Sequence, residues 1–129
     1  MHLYIKIAIF LILTSVILGA FGAHKLNDLL NNEQINSFNT GIKYQMIHGI
    51  SVLILSLNYK AFTKRIKNIV QIMILGTLLF SFSIYLLNIK DLISLPTNFL
   101  GPITPIGGAL IIISWIMLIL NVNKEVNHF

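Results

Sequence analysis

The sequence predicts an all-α integral membrane protein: four transmembrane helices, both termini cytoplasmic, one membrane domain over residues 1–129. Three observations predict it. Apolar residues make up 56% of the chain, and its mean hydropathy is +0.84. Charged residues make up only 10%, against about 25% in an ordinary soluble domain. Four apolar runs alternate with short polar stretches. A soluble domain of this length cannot hide so many apolar side chains behind so few charges, so lipid is the main solvent.

A helix that crosses a bilayer needs about 17–25 apolar residues. The first run covers 3–23, with Lys6 near its start. Ala20-Phe21-Gly22 resembles a signal-cleavage site, but the run is long for a signal core and reads better as a span. The second span, 43–60, encloses the uncharged stretch Tyr44–Tyr59. It is slightly short, and the lysine stems at its ends can snorkel to cover the deficit. Asn32 is a candidate cap for a helix that starts at Glu33, outside the hydrocarbon, and runs to Tyr59. The third span, 68–89, lies between Lys67 and Lys90. The last uncharged stretch contains Pro96, Pro102 and Pro105, so its first part reads as a loop and 105–122 as the fourth span. Thr104 is the expected N-cap of that helix and Pro105 its first residue. Gly107 and Gly108 then allow close backbone approach.

Orientation follows from the positive residues near the spans. Lys6, Lys60, Lys64, Arg65, Lys67 and Lys124 fall on one side; Lys25, Lys43 and Lys90 fall on the other. The richer side is cytoplasmic. The formal charge of +5 is thus explained by a loop, not by the basic face that nucleic acid requires. With no cysteine there are no disulfides, zinc knuckles or thiol chemistry.

Polar groups within a membrane are costly and by default mark function. His24, Tyr44, Gln45, His48, Tyr85 and Thr104 all fall in the outer half under this topology, whereas the inner halves are aliphatic. A polar cluster opening outward and closed below by hydrocarbon is therefore expected, with the Gly101–Gly108 turn (Gly101, Pro102, Pro105, Gly107, Gly108) beside it. A helix starting at Pro105 would aim free N–H groups at that cavity and favour an anionic or carbonyl-bearing guest. The competing reading is structural: His48 and Tyr85 as interhelical glue, His24 as an interfacial residue. Two histidines without a carboxylate or thiolate nearby make a thin metal site, so no metal or other cofactor is expected. Ser15, Gly19 and Ala23, spaced by four, with Gly22 beside them, form a small-residue face for helix contact, within the chain or between copies. Gly19→Leu is accordingly expected to disturb packing more than Ile17→Leu.

The acids Asp28, Glu33, Asp91 and Glu125 all lie outside the spans, and the hydrolase, metalloprotease and phosphate-loop motifs do not occur. No enzymatic activity is expected, and carboxylate-driven proton transport has no intramembrane acid to use.

Four blocks carry a family resemblance: Gly19-Ala20-Phe21-Gly22-Ala23-His24; Phe38-x-Thr40-Gly41-x-x-Tyr44-Gln45-x-x-His48; Gly76-x-x-x-Phe80-Ser81-x-Ser83-x-Tyr85-Leu86; and Leu100-Gly101-Pro102-Ile103-Thr104-Pro105-Ile106-Gly107-Gly108 with Trp115. Together they resemble the YgdD/YwdK-type family of small multi-pass membrane proteins, a domain of unknown function with eukaryotic transmembrane protein 256 as a relative. The resemblance implies a bacterial inner-membrane protein of about this length and supplies no activity. Lys25 and Phe82 stand where that family usually has glycine.

The expected function is an accessory or membrane-homeostasis role, with the polar cluster binding a lipid headgroup, a small ligand or a partner helix. The alternative is a transporter or channel component for a small solute, and third a membrane enzyme using His24 or His48. Membrane lipid and further copies of the chain, through the small-residue faces, are the expected partners. A continuous polar path would favour transport; a one-sided pocket would favour binding.

Overall fold

Helices form where the apolar runs are, and the charged stretches become the connections. The computed structural model describes residues 1–96 and 98–122. They form α1 (His2–His24), α2 (Asn32–Leu57), α3 (Ile66–Ile93) and α4 (Leu100–Leu120). Among these, α1, α3 and α4 are long and apolar enough to cross a membrane. α2 is as long, but its first half carries Asn, Gln, Glu, Ser, Thr and Lys side chains that lower its hydropathy.

Two helix starts differ from expectation. Asn31, not Asn32, caps α2: its side chain accepts from Gln34 N–H at 2.9 Å, and Gln34 Oε1 accepts from Asn31 N–H at 3.0 Å. This reciprocal box satisfies two orphan donors at once, which Asn32 with Ile35 three residues on could not do. α4 begins at Leu100, so Thr104 is not an N-cap and Pro105 lies inside the helix. Pro102 is the third helical residue, where an N–H has no intrahelical acceptor in any case. Pro105 removes only the bond to the carbonyl of Gly101, which sits exposed at the helix end.

The four helices run up and down in sequence order. α1 and α2 meet antiparallel: a side chain at Gly22 would touch Phe38, one at Gly19 would touch Ile42, and Ser15 Oγ lies 3.5 Å from Met46 Sδ. α2 and α3 meet through Gly41 and Tyr85, and through Asn88, whose Nδ2 donates to Ser37 Oγ at 2.9 Å. α3 and α4 touch backbone to backbone: a Cβ on Gly76 would lie 2.9 Å from Ile111 N, and one on Gly107 would collide with the backbone of Phe80.

This topology puts the start of α1, the 58–65 connection and the end of α4 together. Thr63 N–H donates to the Asn121 carbonyl at 3.1 Å and Thr63 Oγ1 to Asn121 Oδ1 at 2.9 Å, while Phe62 and Val122 form a single antiparallel bridge. We call this the basic end, since Lys60, Lys64, Arg65 and Lys67 lie there; Lys124 lies outside the described residues. The 25–31 connection and residues 94–96, 98 and 99 lie at the far end.

Two apolar clusters hold the bundle. Near the basic end Tyr4, Ala8, Val52, Ile69, Val70, Met73 and Leu118 pack together with their neighbours. Near the far end Leu26, Leu30, Phe38 and Tyr85 do so, because a 3-10 turn at Leu26–Asp28 folds the first connection back over the helices. Leu26 and Leu30 are thus buried, and Leu29 is exposed.

Candidate functional site

The polar residues of α2 are shared out by helical geometry. Gln45 is buried on the side that faces α1 and α3. Its Nε2 donates to the Leu11 carbonyl at 2.9 Å and to Thr14 Oγ1 at 2.7 Å, and its Oε1 accepts from Tyr85 Oη at 2.7 Å. One amide thereby ties three helices. His48, three residues on, is buried on another side. Its Nδ1 is 2.7 Å from the Tyr44 carbonyl, and its Nε2 accepts from Trp115 Nε1 of α4 at 3.2 Å. That bond requires the tautomer with the proton on Nδ1. Tyr44 stacks on His48 and packs its ring against Phe80. Thr104 pairs with Ser83 across α3 and α4 at 2.6 Å. His24 is exposed at the far end of α1.

The structure therefore brings Gln45 and Tyr85 together, places Tyr44 and His48 in a second group, Thr104 in a third, and leaves His24 apart. One cavity shared by all of them is not what forms.

What forms instead is a groove of about 730 Å³ between α1 and α3 in the far half of the bundle. At the basic end α1 and α3 meet, with Gln71 Nε2 donating to Tyr4 Oη at 2.8 Å. Beyond that contact the trough between them runs over α2, whose Phe38 and Gln45 line its floor. Leu26 and Leu29 reach over its far end. Along its open side Ile17, Phe21, Leu78 and Phe82 are exposed. The lining runs from Thr77 to Ile93 on α3, about 24 Å at helical rise.

The polar residues that line the groove have no donor to offer a guest. Thr14 donates to the Phe10 or Leu11 carbonyl, Thr77 to Met73, Ser81 to Gly41, and Tyr85 to Gln45. α4 contributes nothing to the lining, so its N-terminus does not point at this site. The helix start at Pro105, from which an anionic or carbonyl-bearing guest was expected, does not form, because α4 begins at Leu100.

The small residues have other duties than expected. Ser15 is fully buried and Gly22 buried against α2, but Gly19 is half-buried, Ala23 is exposed, and a Cβ on Gly19 would lie an ordinary 3.9 Å from Ile42. The tight contacts fall at Gly41, Gly49, Gly76 and Gly107. Gly107 is legible in the sequence as a site of close approach, whereas Gly49 carries no such signal. Gly108 meets only the ring of Phe80 at 3.6 Å. Phe82 stands at the edge of the groove, and the close contact of α3 with α4 is made by Gly76. Thr14 and Asn88 have no signal beyond being polar in an apolar run, and Ser37 none within the polar stretch that opens α2.

Comparison with known proteins fits this frame. A family model described as "Protein of unknown function (DUF423)" matches residues 18–108. A UPF0382 membrane protein of Staphylococcus haemolyticus is 33% identical over 126 residues, covering 98% of this chain and 99% of its own. The UPF0382 membrane protein YwdK of Bacillus subtilis is 33% identical over 109 residues, 83% of this chain and 85% of its own. One from Haemophilus influenzae is 39% identical over 103 residues, 80% of this chain and 79% of its own. No solved structure matches.

Proposed function

The chain belongs to the DUF423 family of membrane proteins, and from that premise we propose that it is an accessory protein of the bacterial cell membrane that holds one hydrocarbon chain of a membrane lipid in the groove between α1 and α3. The observation that carries this reading is the pairing of a 730 Å³ space with apolar walls in which every lining donor is already engaged. Such a wall offers an acyl chain van der Waals packing and no polar competition, since a chain arriving from the bilayer is already out of water, and it has nothing with which to replace the hydration of a charged headgroup. Its open side is bordered by exposed apolar residues, which suits loading from the bilayer rather than from water. The apolar cluster beyond the Tyr4–Gln71 contact closes the space toward the basic end, which favours a one-sided pocket over a transport path.

The proposal takes four spans with the basic end in the cytoplasm. Its support is that α2 lies antiparallel between α1 and α3 along their length, so it has to end where they end. The positive residues of the described basic end point the same way.

The test compares lipid retained by the purified full chain, read by native mass spectrometry, in Leu78→Trp and Ile113→Trp. Both sites are exposed, but only Leu78 lines the groove. Leu78→Trp should lose most of the retained lipid and Ile113→Trp should not. Equal retention by the two variants would sink the proposal.

A further inference from the structure

The basic end carries a second pocket, separate from the groove. Lys60, Lys64 and Lys67 line a pocket of about 330 Å³ together with Tyr59, Phe62 and Thr63. Its frame is fixed, not a loose loop. Phe62 N–H donates to the Tyr59 carbonyl at 3.3 Å and Ile66 N–H to the Thr63 carbonyl at 3.0 Å, while Thr63 is bonded twice to Asn121. The three lysines are exposed. Every acid among the described residues, Asp28, Glu33 and Asp91, lies toward the far end, so the pocket has no carboxylate counterion among them. The first turn of α3 begins at the pocket wall, adding the positive end of a 28-residue helix. Tyr59, exposed, carries an amphipathic ring of the kind that suits a membrane interface, and Phe62 beside it is half-buried.

We propose that this pocket seats the phosphate of an anionic lipid headgroup from the leaflet that surrounds the basic end. Three ammonium groups around one cavity match a phosphodiester as point charges. The rings beside them match a phosphate attached to acyl chains better than one free in water. Basic pockets at helix ends on the cytoplasmic side are suited to such headgroups.

The experiment titrates the full chain in neutral detergent with phosphatidylglycerol, phosphatidylcholine or inorganic phosphate and reads bound lipid by native mass spectrometry. Three chains are compared: the unchanged one, Lys60→Gln/Lys64→Gln/Lys67→Gln, and the far-end control Lys25→Gln/Lys43→Gln/Lys90→Gln. Phosphatidylglycerol should bind in preference to phosphatidylcholine. Each pocket lysine removed should weaken it about fivefold, and the control should keep most of the affinity. Thermal unfolding without added lipid checks that both triple variants are folded. Equal loss in the two triples would reduce the effect to net charge and overturn the site. Equal binding of the two lipids would overturn it as well. Full competition by inorganic phosphate at matched concentration would make the ligand a soluble anion and overturn the lipid assignment.

Discussion

Gln45 is the residue on which most of the site's geometry depends. It makes two bonds to α1 and accepts one from Tyr85 of α3. Interhelical hydrogen bonds in a bilayer are worth about 0.6 kcal/mol each on average. Gln45→Leu should therefore cost about 2 kcal/mol of unfolding stability in detergent or bicelles, and Tyr85→Phe, which loses a single bond, about a third of that. Equal losses would mean that Gln45 does not tie three helices. His48 offers an optical test, because Trp115 is the only tryptophan and donates to it. His48→Leu removes the polar partner of the indole, so the emission maximum should move to shorter wavelength. An unchanged spectrum would show that the bond is not made.

At the scale of helices, the contact between α3 and α4 gives the sharpest contrast. Gly107 faces the backbone of Phe80, while its neighbour Gly108 faces only the edge of a ring. Gly107→Ala should destabilise by about 1–3 kcal/mol through overpacking. Gly108→Ala should be neutral or stabilising, since alanine favours a helix by about 1 kcal/mol over glycine. Denaturation of the two variants side by side decides it. Gly19→Leu becomes a milder change than the spacing of Ser15, Gly19 and Ala23 suggests, because a Cβ there would meet only the end of Ile42, at an ordinary 3.9 Å. The helices themselves were legible: apolar runs and the charges between them mark α1 and α3 to within a few residues. The start of α4 is not legible because three prolines look like a loop. Yet Pro102 sits in the first turn, where it has little to break, and Pro105 removes only one bond, to the exposed Gly101 carbonyl. Grouping of the polar residues was not legible either. Positions 45 and 48 are close in sequence, but which neighbour each meets depends on where α1, α3 and α4 lie around α2. The groove depends on how far α1 and α3 part beyond Tyr4 and Gln71, a relation between helices that no single run encodes.

For the whole molecule, the proposed orientation is open to direct labelling. The chain has no cysteine, so each introduced thiol is unique. In intact cells, a membrane-impermeant maleimide should label Asn27→Cys and Asn98→Cys, both exposed at the far end, and should leave Lys64→Cys unlabelled until the cells are opened. Labelling of Lys64→Cys from outside would invert the molecule and place the phosphate pocket in the other leaflet. Labelling of all three sites would break the four-span arrangement.

The mixed character of α2 also bears on how the chain is made. Its face toward the other helices carries Ser37, Gln45 and His48, whose partners sit on α3, α1 and α4. Emerging from the ribosome after α1 alone, it meets only part of that complement. Gln45 can engage Leu11 and Thr14 at once, but Ser37 and His48 must wait for chain not yet synthesised. Entry of α2 into the bilayer is thus tied to the arrival of its successors, and the bundle is completed by late helices stabilising an early one. In the proposed topology, a chain stopped at Tyr59 should leave its second helix at the membrane surface, extractable by alkaline carbonate together with whatever α1 fails to hold.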